Sequence, residues 1–464
     1  MKSVEITFLG AAGTVTGSRH ILSVHGSRYL IDCGLFQGQR EVEERNWKTF
    51  EPNPSEIEAI LLTHAHIDHS GLIPRLVREG YSGPIYATEA TCALLQIMLL
   101  DSAHLQEQDA EYANRKGYSR HKPALPLYTV DDAERTLRLL KPVSMHKALQ
   151  LEKLAITWRP TGHLLGAGAL ELDINSGVRP VVFSGDLGRY KSAIMKPPWP
   201  IHSAEFLIIE STYGNRFHKD ESVDDTLTEV LNKVVKQKSV LLIPAFAVGR
   251  SQQVLYHIRR LQGQGRVPKI PVYIDSPMAN SATDIYCRFG DEHNLSVNLL
   301  MDHHQCPLLC EETNFVRTAT ESKAINSLSG PIVIIAASGM CTGGRILHHL
   351  KWRLPKAENI VLFVGYQAQG SRGRALLDGA REITIHGERV PVKAQIVTVD
   401  ALSTHPAQGE LLQWLSNFER PPKMTFIVHG EKDASKGLKD AITERFGWDV
   451  SIPSMRQTFD LVWG

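Results

Sequence analysis

Ile60-Leu61-Leu62-Thr63-His64-Ala65-His66-Ile67-Asp68-His69-Ser70-Gly71 is the stretch from which the rest of the chain is read. The apolar run from Ile60 to Thr63 predicts a buried strand. It stops at three histidines and an aspartate within six positions, ahead of Ser70, Gly71 and an amphipathic helical pattern. Neutral imidazole and carboxylate are the ligands that borderline divalent metals take, zinc above all. His64 and His66, two apart just past a strand end, can face one side of a loop. Asp68 and His69 then turn toward a neighbouring position roughly 4 Å away, the separation of two-metal hydrolases. A polar loop that merely happens to be histidine-rich is the bland alternative, and the clustering weighs against it.

Working outward, other strands end in the same kind of residue. Val4 to Phe8 alternates as a strand and leads into the glycine-rich connection Gly10 to Gly17, which is no Walker motif. Tyr29 to Ile31 ends at Asp32-Cys33-Gly34, a carboxylate at a strand terminus. A long helical pattern runs from Thr88 to about Asn114, followed by the basic and aromatic segment Arg115 to Pro123, with His121, expected as a solvated surface loop. Two strands flank Thr161-Gly162-His163, whose small neighbours let a metal approach, so His163 is a third ligand candidate. Val181 to Ser184 runs into Gly185-Asp186, and the two oxygens of Asp186 suit it to bridge two metals. Phe206 to Glu210 is a further apolar strand ending in an acid.

From about 215 to 372 short apolar strands (Val240 to Ile243, Pro271 to Ile274, Ile332 to Ile335, Ile360 to Phe363) alternate with helical patterns, which predicts a parallel α/β unit. Its turns carry hydroxyls, glycines and arginines: Arg250 and Ser251, Ser276, then Ser338, Gly339, Thr342, Gly343 and Arg345, and the turn Gly365 to Gly370. Such turns at helix N-termini suit anions, so these residues are candidate phosphate contacts. Strands resume at Ile383 to Ile385 and Ala394 to Val399. After Asp400 to Pro406 come a helix from Gln408 to Phe418 and the strand Thr425 to Val428, ending in His429-Gly430. His429 has the same setting as Asp32 and Asp186 and reads as a ligand, while His405 lies just ahead of a helix.

Composition narrows the class without naming it. With 464 residues and 42% hydrophobic content, the chain can bury a large core and should form more than one domain. Lys+Arg 51 against Asp+Glu 50 leaves a net charge of +1, so no overall basicity announces a polyanion. Cys33, Cys92, Cys287, Cys306, Cys310 and Cys341 form no repeating framework, which predicts reduced thiols and a cytoplasmic protein. His303-His304-x-Cys306-x3-Cys310 fits no common zinc finger. No apolar run nears the ~20 residues a membrane helix needs, and the N-terminus has no signal-peptide core, so no membrane partner is expected.

The set Asp32, His64-x-His66-x-Asp68-His69, His163 and Asp186 resembles the motifs of the metallo-β-lactamase superfamily, and Glu210, His405 and His429 resemble the three extra motifs of its β-CASP nucleases. The resemblance covers nearly the whole chain. It implies an α/β fold: a metallo-β-lactamase αββα sandwich (1–210 and 373–464) with an inserted parallel α/β β-CASP domain (211–372). It implies two zinc ions held by His64, His66, Asp68, His69, His163, Asp186 and His429, with Asp32 orienting the ligands from behind and Asp68, Glu210 and His405 catalytic. The expected activity is hydrolysis of single-stranded RNA to 5′-phosphate and 3′-hydroxyl ends, by endonucleolytic or 5′-exonucleolytic cutting, in a chain that could act as a homodimer. A histidine at the position of His429 goes with RNA in the family. Ser403-Thr404-His405-Pro406-Ala407 departs from its usual wording by lacking an acid after the histidine. The alternatives are a thioesterase or lactonase on the same metal fold, a DNA-directed relative, and a non-catalytic RNA-binding subunit.

Overall fold

The computed structural model describes residues 4–117, 122–174, 178–217, 222–295, 306–365, 367, 370–399 and 402–463. His121, His303, His304, Asp400 and part of the turn 365–370 therefore lie outside the described residues. The chain forms two compact units, 1–217 with 404–464, and 218–403.

The first unit is built on two seven-stranded sheets. One runs in the order Thr458–Asp460, Val4–Phe8, His20–Val24, Ser27–Ile31, Ile57–Leu61, Ile85–Thr88, Leu140–Val143. The other runs Val450–Ser451, Met424–Val428, Phe206–Glu210, Val181–Phe183, Gly168–Asp173, Ala155–Pro160, Leu149–Gln150. Side chains alternate across a strand, so three largely apolar strands of the second sheet serve two cores at once. Val181, Phe183, Phe206, Ile208, Phe426 and Val428 point to the first sheet, where they meet Ile6, Phe8, Leu22, Tyr29 and Leu61. Val182, Leu207, Ile209 and Ile427 point the other way, against Leu411, Trp414 and Leu415 of the helix Gln408–Leu415 and Leu438 and Ile442 of the helix Lys432–Phe446. The long helix Glu89–Lys116 packs on the strands at 85–88 and 140–143 of the first sheet. Helices, sheet, sheet and helices make the expected αββα order.

This layering explains where the chemistry sits. The strands ending at Ile31, Leu61, Phe183, Glu210 and Val428 deliver Asp32, His64, Asp186, Glu210 and His429 at or just beyond their carboxyl ends.

The second unit holds a six-stranded, wholly parallel sheet in the order Thr313–Phe315, Val272–Asp275, Ile332–Ala336, Val240–Pro244, Ile360–Phe363, Gln395–Thr398. Its last strand moves a boundary. Residues 373–403 were expected with the sandwich, yet Gln395–Thr398 pairs with Ile360–Phe363. The hairpin Glu382–Ile385 and Glu388–Pro391 places Ile383, Ile385 and Val390 in a core with Phe363 and Leu376. The buried strand Ile360–Phe363 would otherwise lie at an open edge. At the other junction Ser211 stays with the sandwich, its hydroxyl donating to the Val428 carbonyl at 2.9 Å.

Among the cysteines, Cys287 and Cys306 are joined in a disulfide, contrary to the expectation of thiols throughout, and the other four are buried free thiols. Among the described residues no helix is long and apolar enough to cross a membrane.

Candidate metal centre

Two groups of ligand-type atoms meet in the sandwich unit. In the first, His66 Nδ1 lies 3.1 Å from His64 Nε2 and 3.2 Å from His163 Nε2. Asp186 Oδ2 is 3.6 and 3.5 Å from the same two Nε2 atoms. In the second, His429 Nε2 lies 3.1 Å from His69 Nε2 and 3.4 Å from Asp68 Oδ2. The other oxygen of Asp186, Oδ1, stands 3.3 Å from His69 Nε2. The ligand atoms of His64, His66, His163 and Asp186 fall within 4.8 Å of one another, as do those of Asp68, His69 and His429, and a third set, Asp186, Glu210 and His429, overlaps both.

These contacts suit a cation better than they suit hydrogen bonds. Several imidazole nitrogens crowd each other with at most one proton between any two, and Asp186 Oδ1, though buried, meets no hydrogen-bond donor in good geometry. Ligands about 2.0–2.1 Å from a tetrahedral zinc lie about 3.3 Å from each other, the spacing found here. The donor set of imidazole and carboxylate therefore fits a metal of the zinc type.

The surroundings prepare those nitrogens. Burial, with His69 nearby, holds His64 well below the ordinary imidazole range; burial and His405 do the same for His163, and burial lowers His66 to about 4. All three are neutral near pH 7, as ligands must be. His69 is pushed the other way: burial opposes its charge, but the Asp186 and Asp32 carboxylates raise it well above the usual value. Burial would raise Asp68, yet the neighbouring His429 and the charge of His69 bring it to about 2.

Asp32 is the hub behind the loop. Its Oδ2 accepts from His69 Nδ1 at 2.7 Å and its Oδ1 from the Thr63 N–H at 2.8 Å, so the His69 Nε2 is aimed at the cluster. Gly34 lets the loop come close, because a Cβ there would sit 1.5 Å from the Asp68 carbonyl oxygen. The same carbonyl accepts from the Ser18 N–H at 2.8 Å. Asp32 and His429 both hold left-handed backbone, φ 57° and 52°, local strain of the sort found at sites whose geometry the surrounding fold imposes.

Beside this cluster the His405 Nδ1 lies 3.1 Å from Glu210 Oε2, and its ring centroid is 4.6 Å from that of His163. Glu210 is fully buried; its Oε1 accepts from the Leu187 N–H at 2.6 Å and its Oε2 from the Thr212 hydroxyl at 2.7 Å. Burial works against a charged His405, and the carboxylates, Glu210 foremost, override it to raise the group to about 8. The segment after His405 is held by other side chains: Glu410 accepts from the Ala407 N–H at 3.1 Å and from the Tyr190 N–H at 3.3 Å, and Gln408 Nε2 donates to the Gly214 carbonyl at 2.7 Å.

The candidate phosphate contacts of the second unit have local occupations. Ser251 donates to the Phe246 carbonyl, Ser276 caps the helix Pro277–Arg288, and Ser338 Oγ accepts from the N–H groups of Thr342 and Gly343. Gly339 packs against Phe246, and Arg250 Nη1 lies 3.3 Å from Gln253 Oε1. Arg345 is tied to buried Asp275 at 2.6 Å and to the Arg317 carbonyl at 2.9 Å. Sequence reasoning passed over Thr63, Gly34 and Thr212, whose only signal is adjacency to a ligand or its acid.

Comparison with known proteins divides the chain in three, the last part running across the boundary between the two units at 403/404. Residues 21–216 match the metallo-beta-lactamase superfamily, 251–376 the Beta-Casp domain, and 389–453 the Zn-dependent metallo-hydrolase RNA specificity domain. The chain is 38% identical over 451 residues to Ribonuclease TTHA0252 of Thermus thermophilus, covering 97% of this chain and 98% of that one. It is 29% identical over 461 residues to transcription termination factor FttA of Methanocaldococcus jannaschii, covering 97% of this chain and 70% of the factor. The crystal structure of a protein of unknown function from Enterococcus faecalis V583 shares the fold, with a TM-score of 0.55 at 13% identity over 99% of this chain and 100% of that one.

Proposed function

The chain belongs to the β-CASP ribonuclease family of the metallo-β-lactamase superfamily, and on that premise we propose that it is a zinc-dependent ribonuclease that hydrolyses RNA phosphodiester bonds to 5′-phosphate and 3′-hydroxyl ends. The observation that carries this reading is Asp186, with one oxygen toward each of two ligand groups and the His405–Glu210 pair alongside.

His64, His66 and His163 would hold one zinc, Asp68, His69 and His429 the other, and Asp186 would serve both. Zinc bound there would lower the pKa of water toward neutrality and offset charge that develops at phosphorus. The protein's own part is proton supply and orientation. Glu210 engages His405 through Nδ1, and His405 Nε2 would give its proton to the departing 3′-oxygen. Asp32 and Thr63 hold the histidine loop in register while Asp68 turns its carboxylate to His429. In the second unit Arg250, at the start of the helix Arg250–Gly263 just after Gly249, is the proposed contact to RNA phosphate. The match of 389–453 to an RNA specificity domain supports RNA over a thioester, a lactone or DNA.

The test is to incubate zinc-loaded protein with 5′- and 3′-labelled RNA and with thioester substrates. Cleavage of RNA alone, with 5′-phosphate product ends, is expected. Thioester hydrolysis with intact RNA would overturn the proposal.

A further inference from the structure

We propose that Thr212 is a positioning residue that fixes His429 for metal binding: its hydroxyl donates to Glu210 Oε2 and accepts from His429 Nδ1–H, so that His429 presents Nε2 to the cluster. The inference rests on the metal-dependent reading above.

The geometry leaves little choice. Thr212 Oγ1 stands 2.7 Å from Glu210 Oε2, 3.1 Å from His429 Nδ1 and 3.2 Å from the His429 carbonyl oxygen. A hydroxyl has one proton, and the short contact to a buried carboxylate is the stronger claim on it. Its lone pair then faces His429 Nδ1, which must carry the imidazole proton. The other acceptor within reach of that nitrogen, Asp186 Oδ1, is farther at 3.4 Å. His429 Nε2 is thereby left as a lone pair among Asp68 Oδ2 and His69 Nε2.

The same device occurs a second time in the molecule. Thr63 Oγ1 lies 2.9 Å from Asp32 Oδ2 and 3.0 Å from His64 Nδ1, again a hydroxyl between a buried carboxylate and the rear nitrogen of a ligand. Each ligand group thus has one histidine whose tautomer is set by a threonine and an acid. His66 needs no such partner, because its Nδ1 itself faces the cluster. Thr212 further couples the two halves of the site, since Glu210 Oε2 is also the partner of His405. Partners of this kind are worth about 10–100-fold in metal affinity.

The experiment titrates metal-stripped wild type, Thr212→Val and Thr212→Ser with zinc against a chromophoric chelator. It also records imidazole nitrogen NMR of the zinc-loaded wild type. The expected results are a second equivalent bound about 10–100-fold more weakly in Thr212→Val with the first unchanged, recovery in Thr212→Ser, and a protonated Nδ1 on His429. Two equivalents held by Thr212→Val as tightly as by wild type would overturn the proposal alone, as would a Thr212→Ser as weak as Thr212→Val. Should Thr212→Val not fold, the NMR decides: metal on Nδ1 of His429 in the wild type overturns the assignment. A wild type that takes up no zinc removes the metal-dependent reading together with this one.

Discussion

Replacing Glu210 by Gln keeps the size of a buried side chain and removes its charge, and the structure says how much that charge does. Against the cost of burial, Glu210 and the more distant Asp186 and Asp68 raise His405 from 6.5 to about 8. That shift is worth about 2 kcal/mol in favour of the protonated imidazole. The sign follows from the direction of the shift: the protonated form is present below about 8 and lost above it. Without Glu210 the loss moves to lower pH. Were His405 to fall back to its ordinary 6.5, its protonated fraction at pH 7.5 would drop from about three quarters to about a tenth, so the variant should cleave roughly eightfold more slowly there, with a deficit that grows toward about thirtyfold above pH 8.5 and shrinks as the pH falls. The amide oxygen can still accept from His405 Nδ1 and the Thr212 hydroxyl, at the cost of turning the NH2 toward the Leu187 N–H that Glu210 Oε1 otherwise accepts. The assay is single-turnover cleavage of labelled RNA at saturating zinc across this range. A deficit that does not change with pH would refute His405 as the proton donor tuned by Glu210.

His405→Ala should keep both zinc ions and slow cleavage by about 10²–10⁴, and a substrate with a phosphorothiolate leaving group, which departs without a proton, should recover much of that loss. Asp186→Ala should lose metal from both positions by elemental analysis, whereas Asp32→Ala, which removes only an orienting partner, should cost about 10–100-fold in affinity. Arg345→Ala leaves buried Asp275 without its cationic partner, so urea unfolding should show about 3–5 kcal/mol of lost stability with RNA affinity unchanged. Burial would raise Asp275, but His349, Ser322 and Arg345 hold it below the ordinary carboxylate value. Stability from this network should therefore be complete above about pH 4 and disappear as acid protonates the folded carboxylate, a loss that equilibrium unfolding against pH detects.

The sandwich was legible because its strands are short apolar runs that stop at a charged residue or glycine. Phe206–Glu210 in the sandwich and Ile360–Phe363 in the second unit fall where the sequence puts them, and the helix expected from Thr88 to Asn114 spans Glu89–Lys116. Strand ends also exposed the candidate ligands, since an imidazole or carboxylate buried at a strand terminus loses its hydration and needs a metal or a polar partner to offset the cost. Partnership between strands was less readable. Residues 394–399 look alike whichever sheet they join, and only the pairing of Gln395–Thr398 with Ile360–Phe363 assigns them to the second unit. Likewise Arg345 in a glycine turn reads as a phosphate contact until Asp275, 70 positions away in sequence, appears at 2.6 Å. Thr63 and Thr212 were invisible because a hydroxyl acquires its role only from what the fold sets on either side of it.

The most direct test of the account is a zinc titration of the metal-stripped chain read by cleavage of end-labelled RNA. The account predicts no cleavage without metal, a rise that levels off at about two equivalents per chain, and 5′-phosphate ends on the products. Cleavage that persists in excess chelator, or that is complete at one equivalent, would contradict it.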